Sequence, residues 1–394
     1  MTGPESGRPH QNGKARIMAG NDVVEVAFIG GGLSSAVGMT HFSATSMDGR
    51  MKLVAGVFSR NEETNARTAA LWHVPPERTY ADYRQLINAE AGRVGAVCVL
   101  TPSPDHVTQV CDLLDAGIPV ICEKPLALDL AGIAHIRQHY DPARHYLAVT
   151  FNYTGNVMLR ELKARMERGD FGRIHQIMVE MPQDAFARPP DIAGLNKGIQ
   201  SWRLTDGVVP MICLDLGIHM HSMISFLTGE EAGEVMGQFA YTDGYPVVSS
   251  VQALGRYPSG MAAHFWFSKA AIGHKNGLRI RVYGDKGSAE WYQMEPETIH
   301  VAFKTGERMI IDRAANGLVS NLFRYNRMKP GHPAGYIEAF ANYYYDIVDD
   351  LRAGPKAPRN PYVFGIDDAE NGLALFEAVA RSHRSGQWEK VVKW

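Results

Sequence analysis

Residues 23–35 read VVEVAFIGGGLSS. The first seven are apolar at nearly every position and run directly into three glycines, which marks a short buried strand ending in a tight turn. The small-residue segment that follows, SSAVGMTHFSATS, has helical character. Strand, glycine turn and helix in that order let backbone N–H groups approach a pyrophosphate at a helix N-terminus. The turn therefore predicts a dinucleotide site built on Gly30, Gly32, Leu33 and Ser34. In the spacing G-x-G-x-x-G the third glycine position falls on Ser35, small enough to permit close packing of helix on strand.

Outward from this turn the alternation continues. MKLVAGVFS reads as a strand, NEETNARTAALW and YADYRQLINAE as helices, and VGAVCVLTPSPDH as a strand broken by proline. HVTQVCDLLDAG (helix), PVICEKPLA (strand and loop), a helix near 129–140 and the strand HYLAVTFNY complete the pattern. Strands separated by helices at this spacing predict a doubly wound parallel sheet over residues 22–150, a Rossmann domain with its ligand at the carboxyl ends of the strands. Beyond residue 150 the strands lengthen and alternate: IHQIMVEMP, VVSSVQALGRY, GMAAHFWFSK and GLRIRVYGDKGSAEWYQ. They predict a second α+β domain, residues 151–394, with a large, mostly antiparallel open sheet. Helices near 156–168, 213–227, 334–352 and 366–385 are expected to cover one of its faces, the last also able to pack back on the first domain. Residues 1–21 lack apolar periodicity and read as a disordered tail.

The composition excludes several functions. With 40 basic and 42 acidic residues in 394 the chain has no excess field for nucleic acid or anionic lipid. No apolar run approaches the roughly eighteen residues of a membrane helix. Cys98, Cys111, Cys122 and Cys213 stand singly, which fits a reducing, cytoplasmic compartment. At the end of the second strand a dinucleotide enzyme usually places an acid on the ribose 2′-hydroxyl; here Val57-Phe58-Ser59-Arg60 offers none. Ser59 and Arg60 could hold a 2′-phosphate instead, which tilts the expectation of NAD(P) toward NADP.

Four further marks follow in order: Thr101-Pro102 with His106, Glu123-Lys124-Pro125, Trp202-Arg203, and Asp215-x-Gly217-x-His219. With the glycine turn, they make the chain resemble the glucose-fructose oxidoreductase, inositol dehydrogenase and MocA family (Gfo/Idh/MocA). Asn152-Tyr153-Thr154-Gly155 and the stretch from His332 to Tyr345 resemble one branch of it. The resemblance implies hydride transfer between a nicotinamide and a secondary alcohol of a sugar, glycoside or cyclitol. It also implies cofactor contacts from Thr101, Pro102, His106, Glu123, Lys124, Trp202 and Arg203, and a catalytic trio of Lys124, Asp215 and His219. The family commonly continues D-x-G-x-H-x-x-D, whereas this chain has Ser222 in the last position.

Oxidising an alcohol requires a base for its proton and a cation for the developing alkoxide. Neutral His219 suits the first task and Lys124 the second, with Asp215 orienting the imidazole or a neighbouring hydroxyl. Asp215 and His219 are four apart, on one face of an expected helix. Arg203, Tyr153, Gln183 and His332 are additional candidates for substrate hydroxyls. Adjacent side chains on a helix diverge, so His219-Met220-His221 is not read as a metal site and none is expected; His221 is read as structural. Specificity is expected in the Pro- and Gly-rich segment 184–198. The exposed sheet face predicts a homodimer or homotetramer. A non-catalytic regulator on the same fold, or an enzyme that regenerates a tightly held cofactor in place, are the alternatives.

Overall fold

The computed structural model describes residues 23–187 and 200–393. The expected tail, and residues 188–198 of the expected specificity loop, lie outside them.

The first sheet is wholly parallel: β1 (Val24–Gly30), β2 (Met51–Val57), β3 (Ala96–Leu100), β4 (Val120–Cys122) and β5 (Leu147–Val149), ordered β2-β1-β3-β4-β5. Its helices are α1 (Gly38–Ser46), α2 (Glu62–Leu71), α3 (Tyr83–Glu90), α4 (His106–Asp115) and α5 (Leu130–His139). β3 and β4 are buried at every residue, as a sheet covered on both faces requires. The order reverses beside β1, so the carboxyl ends of β1 and β3 open a crevice there.

The glycine turn departs from the expected register. α1 opens at Gly38 rather than directly after Gly32, and it is Gly38 that makes the close approach, because a Cβ there would lie 1.6 Å from the Gly31 carbonyl oxygen. Ser35, expected in that role, instead accepts hydrogen bonds at Oγ from the Val37 and Gly38 N–H groups. The loop between the second glycine and the helix is thus longer than the motif's spacing.

The second half begins with α6 (Val157–Arg168) and β6 (Ile174–Pro182), then α7 (Ile218–Thr228) and β7 (Glu234–Ala240). There follow β8 (Ser250–Arg256), β9 (Ala262–Ser268), β10 (Arg279–Gly284), β11 (Gly287–Tyr292), β12 (Thr298–Phe303) and β13 (Arg308–Asp312). α8 (Tyr336–Ala353), α9 (Ile366–Ser385) and β14 (Glu389–Lys390) close the chain. The sheet runs β13-β12-β11-β10-β6-β9-β8-β7-β14. Among the described residues of this sheet only β6 and β9 pair in parallel. Alternation sets its faces: in β8, Val251, Ala253 and Gly255 point inward while Gln252, Leu254 and Arg256 face out.

α8 does not cover this sheet as expected. It packs against α1, where Tyr344 Oη lies 2.6 Å from His41 Nδ1 and Arg50 pairs with Asp349 at 2.6 Å. α9 bridges the halves: Glu377 accepts from the Leu130 N–H (2.9 Å) and Ser382 from the Gly237 N–H (3.0 Å). The two branch motifs meet as packing partners. A Cβ on Gly155 would lie 2.0 Å from the Ala339 carbonyl oxygen, and the Asn342 amide donates to Gly155 at 2.8 Å. Among the described residues no helix is long and apolar enough to cross a membrane.

Gly38→Ala must push α1 off the glycine turn, so we expect a loss of about 1–3 kcal/mol in urea unfolding and weaker dinucleotide binding by calorimetry. Wild-type behaviour in both would refute the packing role of Gly38.

Candidate active site

A cleft of about 850 Å³ runs from the glycine turn to the second sheet. At one end it is walled by Gly30, Gly31, Gly32 and Ser34, with Ser59, Arg60, Thr101 and Pro102. A Cβ on Gly32 would meet the Phe58 carbonyl oxygen at 2.7 Å and one on Gly30 the Thr101 nitrogen at 2.8 Å, so the bare backbone forms the cradle. Glu123, Lys124, Trp202, Arg203, Tyr153, Gln183, Asp215 and His219 line the other end.

Three expected residues do not join it. The Leu33 N–H is directed to Thr68 Oγ1 (3.3 Å) and its side chain packs on the core. His106 is buried, its ring nitrogens 2.7 Å from the Pro125 and 2.9 Å from the Thr101 carbonyl oxygens, so it fixes two cleft loops without reaching the cleft. His332 is exposed, with Nδ1 3.3 Å from the Lys329 carbonyl.

Asp215 sits in a π-helical turn, Cys213–Gly217, that widens the entry to α7. Gly217 is required there: a Cβ would lie 2.6 Å from the Phe376 ring of α9. Three cations converge on the Asp215 carboxylate: Lys269 Nζ at 2.7 Å, Arg203 Nη1 at 3.0 Å and Lys124 Nζ at 3.4 Å. Lys124 also donates to the Asp215 carbonyl oxygen at 2.7 Å. Burial opposes ionisation of Asp215, but Lys269, Lys124 and Arg203 outweigh it and hold the carboxyl well below the usual range. Burial also lowers the Lys124 pKa, and Asp215 and Glu123 only partly restore it.

His219 is buried, its Nδ1 without a hydrogen-bond partner among the described residues, and its ring meets Tyr153 edge-on at 4.7 Å. Burial first, then Lys124, holds the imidazole well below its ordinary value, so it is neutral at pH 7. Ser222 Oγ donates to the His219 carbonyl (2.9 Å) and so does not support Nδ1. His221 points away, 2.6 Å from Glu231 Oε2, so the two histidines do not converge. A polar chain continues from Tyr153: Asn276 Nδ2 donates to its hydroxyl (3.2 Å), and Gln183 Nε2 donates to Asn276 Oδ1 (3.0 Å). Glu123 is held by His41 (3.0 Å) and by the Thr150 hydroxyl, which outweigh burial and keep it ionised.

Lys269, Asn276 and His41 escaped the sequence reading. The spacing Gly38-x-x-His41 could have exposed one of them, since both residues lie at the start of α1. Lys269 and Asn276 follow β9 with no local signal.

Residues 24–151 match the family model described as the oxidoreductase family, NAD-binding Rossmann fold. Residues 159–290 match the GFO/IDH/MocA C-terminal domain. The chain belongs to the GFO/IDH/MocA family of oxidoreductases. It is 27% identical over 375 residues, 91% of this chain and 94% of the relative, to a Bacillus subtilis (strain 168) protein named uncharacterized oxidoreductase YfiI. Two solved structures of an Azotobacter vinelandii inositol dehydrogenase homolog are also similar. That with NAD+ has a TM-score of 0.84 at 26% identity, covering 96% of this chain and 99% of that one. That with NADH and myo-inositol has 0.82 at 25%, covering 93% and 97%. The chain is therefore a dinucleotide-binding dehydrogenase.

Lys269→Met should destabilise the fold by less than the ~3–5 kcal/mol of a buried charge left wholly unpaired, because Lys124 and Arg203 stay in place. Urea unfolding measures it, and an unchanged midpoint would remove Lys269 from the cluster.

Proposed function

We propose that this enzyme moves a hydride between a nicotinamide and a secondary alcohol of a sugar, glycoside or cyclitol. The observation that carries the reading is the convergence of Lys124, Asp215 and His219 at one end of a cleft whose other end is a bare glycine cradle. A bound nicotinamide dinucleotide would supply the hydride acceptor, its phosphates held by the backbone of Gly30–Gly32 and Ser34 and its nicotinamide end by Glu123, Trp202 and Arg203. Neutral His219 accepts the hydroxyl proton, and the ammonium of Lys124 stabilises the oxygen as negative charge develops. Asp215, kept ionised, binds a neighbouring hydroxyl and fixes Lys124. Tyr153, Gln183 and Arg203 orient the remaining hydroxyls. The net positive surroundings favour the alkoxide over the alcohol, and reduction of a keto-sugar is the same path reversed.

We assign the adenosine end to a 2′-phosphate. No carboxylate ends β2, and the Arg60 side chain is 88% exposed with only a loose pair to Asp105 at 3.6 Å. Of the two acids on that wall, Asp105 faces Arg60 itself and Asp82 is already capping α3 through the hydrogen bonds it accepts from the Arg84 and Gln85 N–H groups. Arg60→Ala should weaken NADPH binding at least about tenfold and NADH binding little; wild-type protein that prefers NADH would overturn the assignment. Four free, buried cysteines support a cytoplasmic setting.

The decisive experiment follows reduced nicotinamide while the enzyme is offered inositols, hexoses and glycosides. His219→Ala should lose about 10²–10⁴-fold in kcat. Both pH limbs of kcat/KM should lie lower than free side chains would place them. His219, with its pKa depressed below 6.5, gains a proton only on the acid side of that value, and Lys124, depressed below 10.5, loses its charge before an ordinary lysine. A His219→Ala enzyme as active as wild type would end this reading.

The outward face of the second sheet exposes Met236, Leu254 and Ile310. We propose a homodimer or homotetramer through it. Light scattering that returns one protomer's mass would exclude both.

A further inference from the structure

We propose that the Rossmann half carries a divalent-cation site of its own, in which Cys111 Sγ and the imidazoles of His135 and His139 ligate one Zn²⁺-like ion across α4 and α5. The sequence reading, which expected no metal, weighed only the histidines beside the active site.

One potential ligand atom from each of Cys111, His135 and His139 lies within 4.8 Å of the others. A tetrahedral ion with bonds of about 2.0–2.3 Å needs its donors roughly 3.3–3.8 Å apart. The remaining closure is small, and His135, exposed on its helix, has the freedom to supply it. Helical spacing builds the cluster from two sides: Cys111 and Asp115 are four apart on α4, and His135 and His139 are four apart on α5. The two imidazoles already lie side by side, edge to face, with ring centroids 5.2 Å apart.

Asp115 is the second observation. Its Oδ1 lies 2.8 Å from His139 Nδ1. A carboxylate accepting from Nδ1 fixes the tautomer, leaves the Nε2 lone pair for a metal and raises its basicity, the usual partnership behind a metal-bound histidine. Asp112, one turn earlier, is occupied by the Tyr83 hydroxyl (2.8 Å) and Arg84 (3.3 Å), so it does not compete.

Charge and ligand chemistry agree with a cation. In a parallel sheet the covering helices run opposite to the strands, so α4 and α5 both end at the edge remote from the dinucleotide crevice. Cys111 to Asp115 and His139 occupy those C-terminal turns, where the helix dipoles present partial negative charge. One thiolate with two imidazoles is a borderline-soft set that selects Zn²⁺ over Mg²⁺ or Ca²⁺. The fourth position stays open to water. The ion would clip α4 to α5 and stiffen the first sheet from the side opposite the cleft.

The test uses the full chain, stripped with a chelator and titrated with Co²⁺ and then Zn²⁺. We expect one ion per chain, with a thiolate-to-cobalt charge-transfer band that Zn²⁺ abolishes and Cys111→Ser lacks. His135→Ala, a surface change that leaves the fold intact by circular dichroism, should weaken Zn²⁺ binding at least about tenfold, and Asp115→Asn about 10–100-fold. Dinucleotide affinity should be the same in wild type and His135→Ala. Absence of stoichiometric uptake, or uptake unchanged by His135→Ala and Cys111→Ser, overturns the site and leaves the active-site reading untouched.

Discussion

A single carboxylate inside the protein ties the cleft together. Asp215 could not remain ionised there without compensation, since a buried charge demands partners or gives up its proton. The partners come from three parts of the chain: Lys124 from the loop after β4, Lys269 from the loop after β9, and Arg203 from the connection before α7. The first and second sheets are therefore coupled through one acid. Three cations around one anion leave the site positive. That surplus helps burial to keep His219 neutral, and it is the environment in which an alcohol most readily gives up its proton. Structure and chemistry here share one electrostatic origin.

The family's short motifs are in large part statements about how closely two pieces of backbone can approach. Gly217 lies under the Phe376 ring, Gly155 against the Ala339 carbonyl, and Gly38 against the Gly31 carbonyl. Each brings a chemically useful neighbour to its place: Asp215 on the π-helical turn, Tyr153 on the wall of the cleft, and His41 beside Glu123. The glycines hold no substrate, yet a methyl group at any of them would have to displace main chain or a packed ring.

The parallel sheet was readable because its strands are short apolar runs spaced by helices, a local signal that tertiary context does not alter. The alternating strands of the second sheet were readable for the same reason. That Lys124, Asp215 and His219 line one cleft was legible because each residue sits next to a mark with its own steric or chemical signature. Lys269 and Asn276 carry no such mark, since only the pairing of β6 with β9 brings their loop to the cleft. α8 was assigned to the wrong sheet because amphipathicity tells which face is buried and not against what. The expected third glycine fell on Ser35 because a fixed spacing does not allow for a longer loop, which the close approach of Gly38 reveals.

α9 seals both halves. It lends Glu377 to the first turn of α5, Ser382 to β7 and Phe376 to the turn that carries Asp215. As the ribosome extends the chain, every strand of the first sheet emerges more than two hundred residues before this helix does. The dinucleotide half must therefore wait, with one side of α5 uncovered, until this helix follows it out and supplies its seal. During that interval the nascent protein presents an apolar surface that the finished enzyme never shows, and that surface is where a chaperone would find its hold.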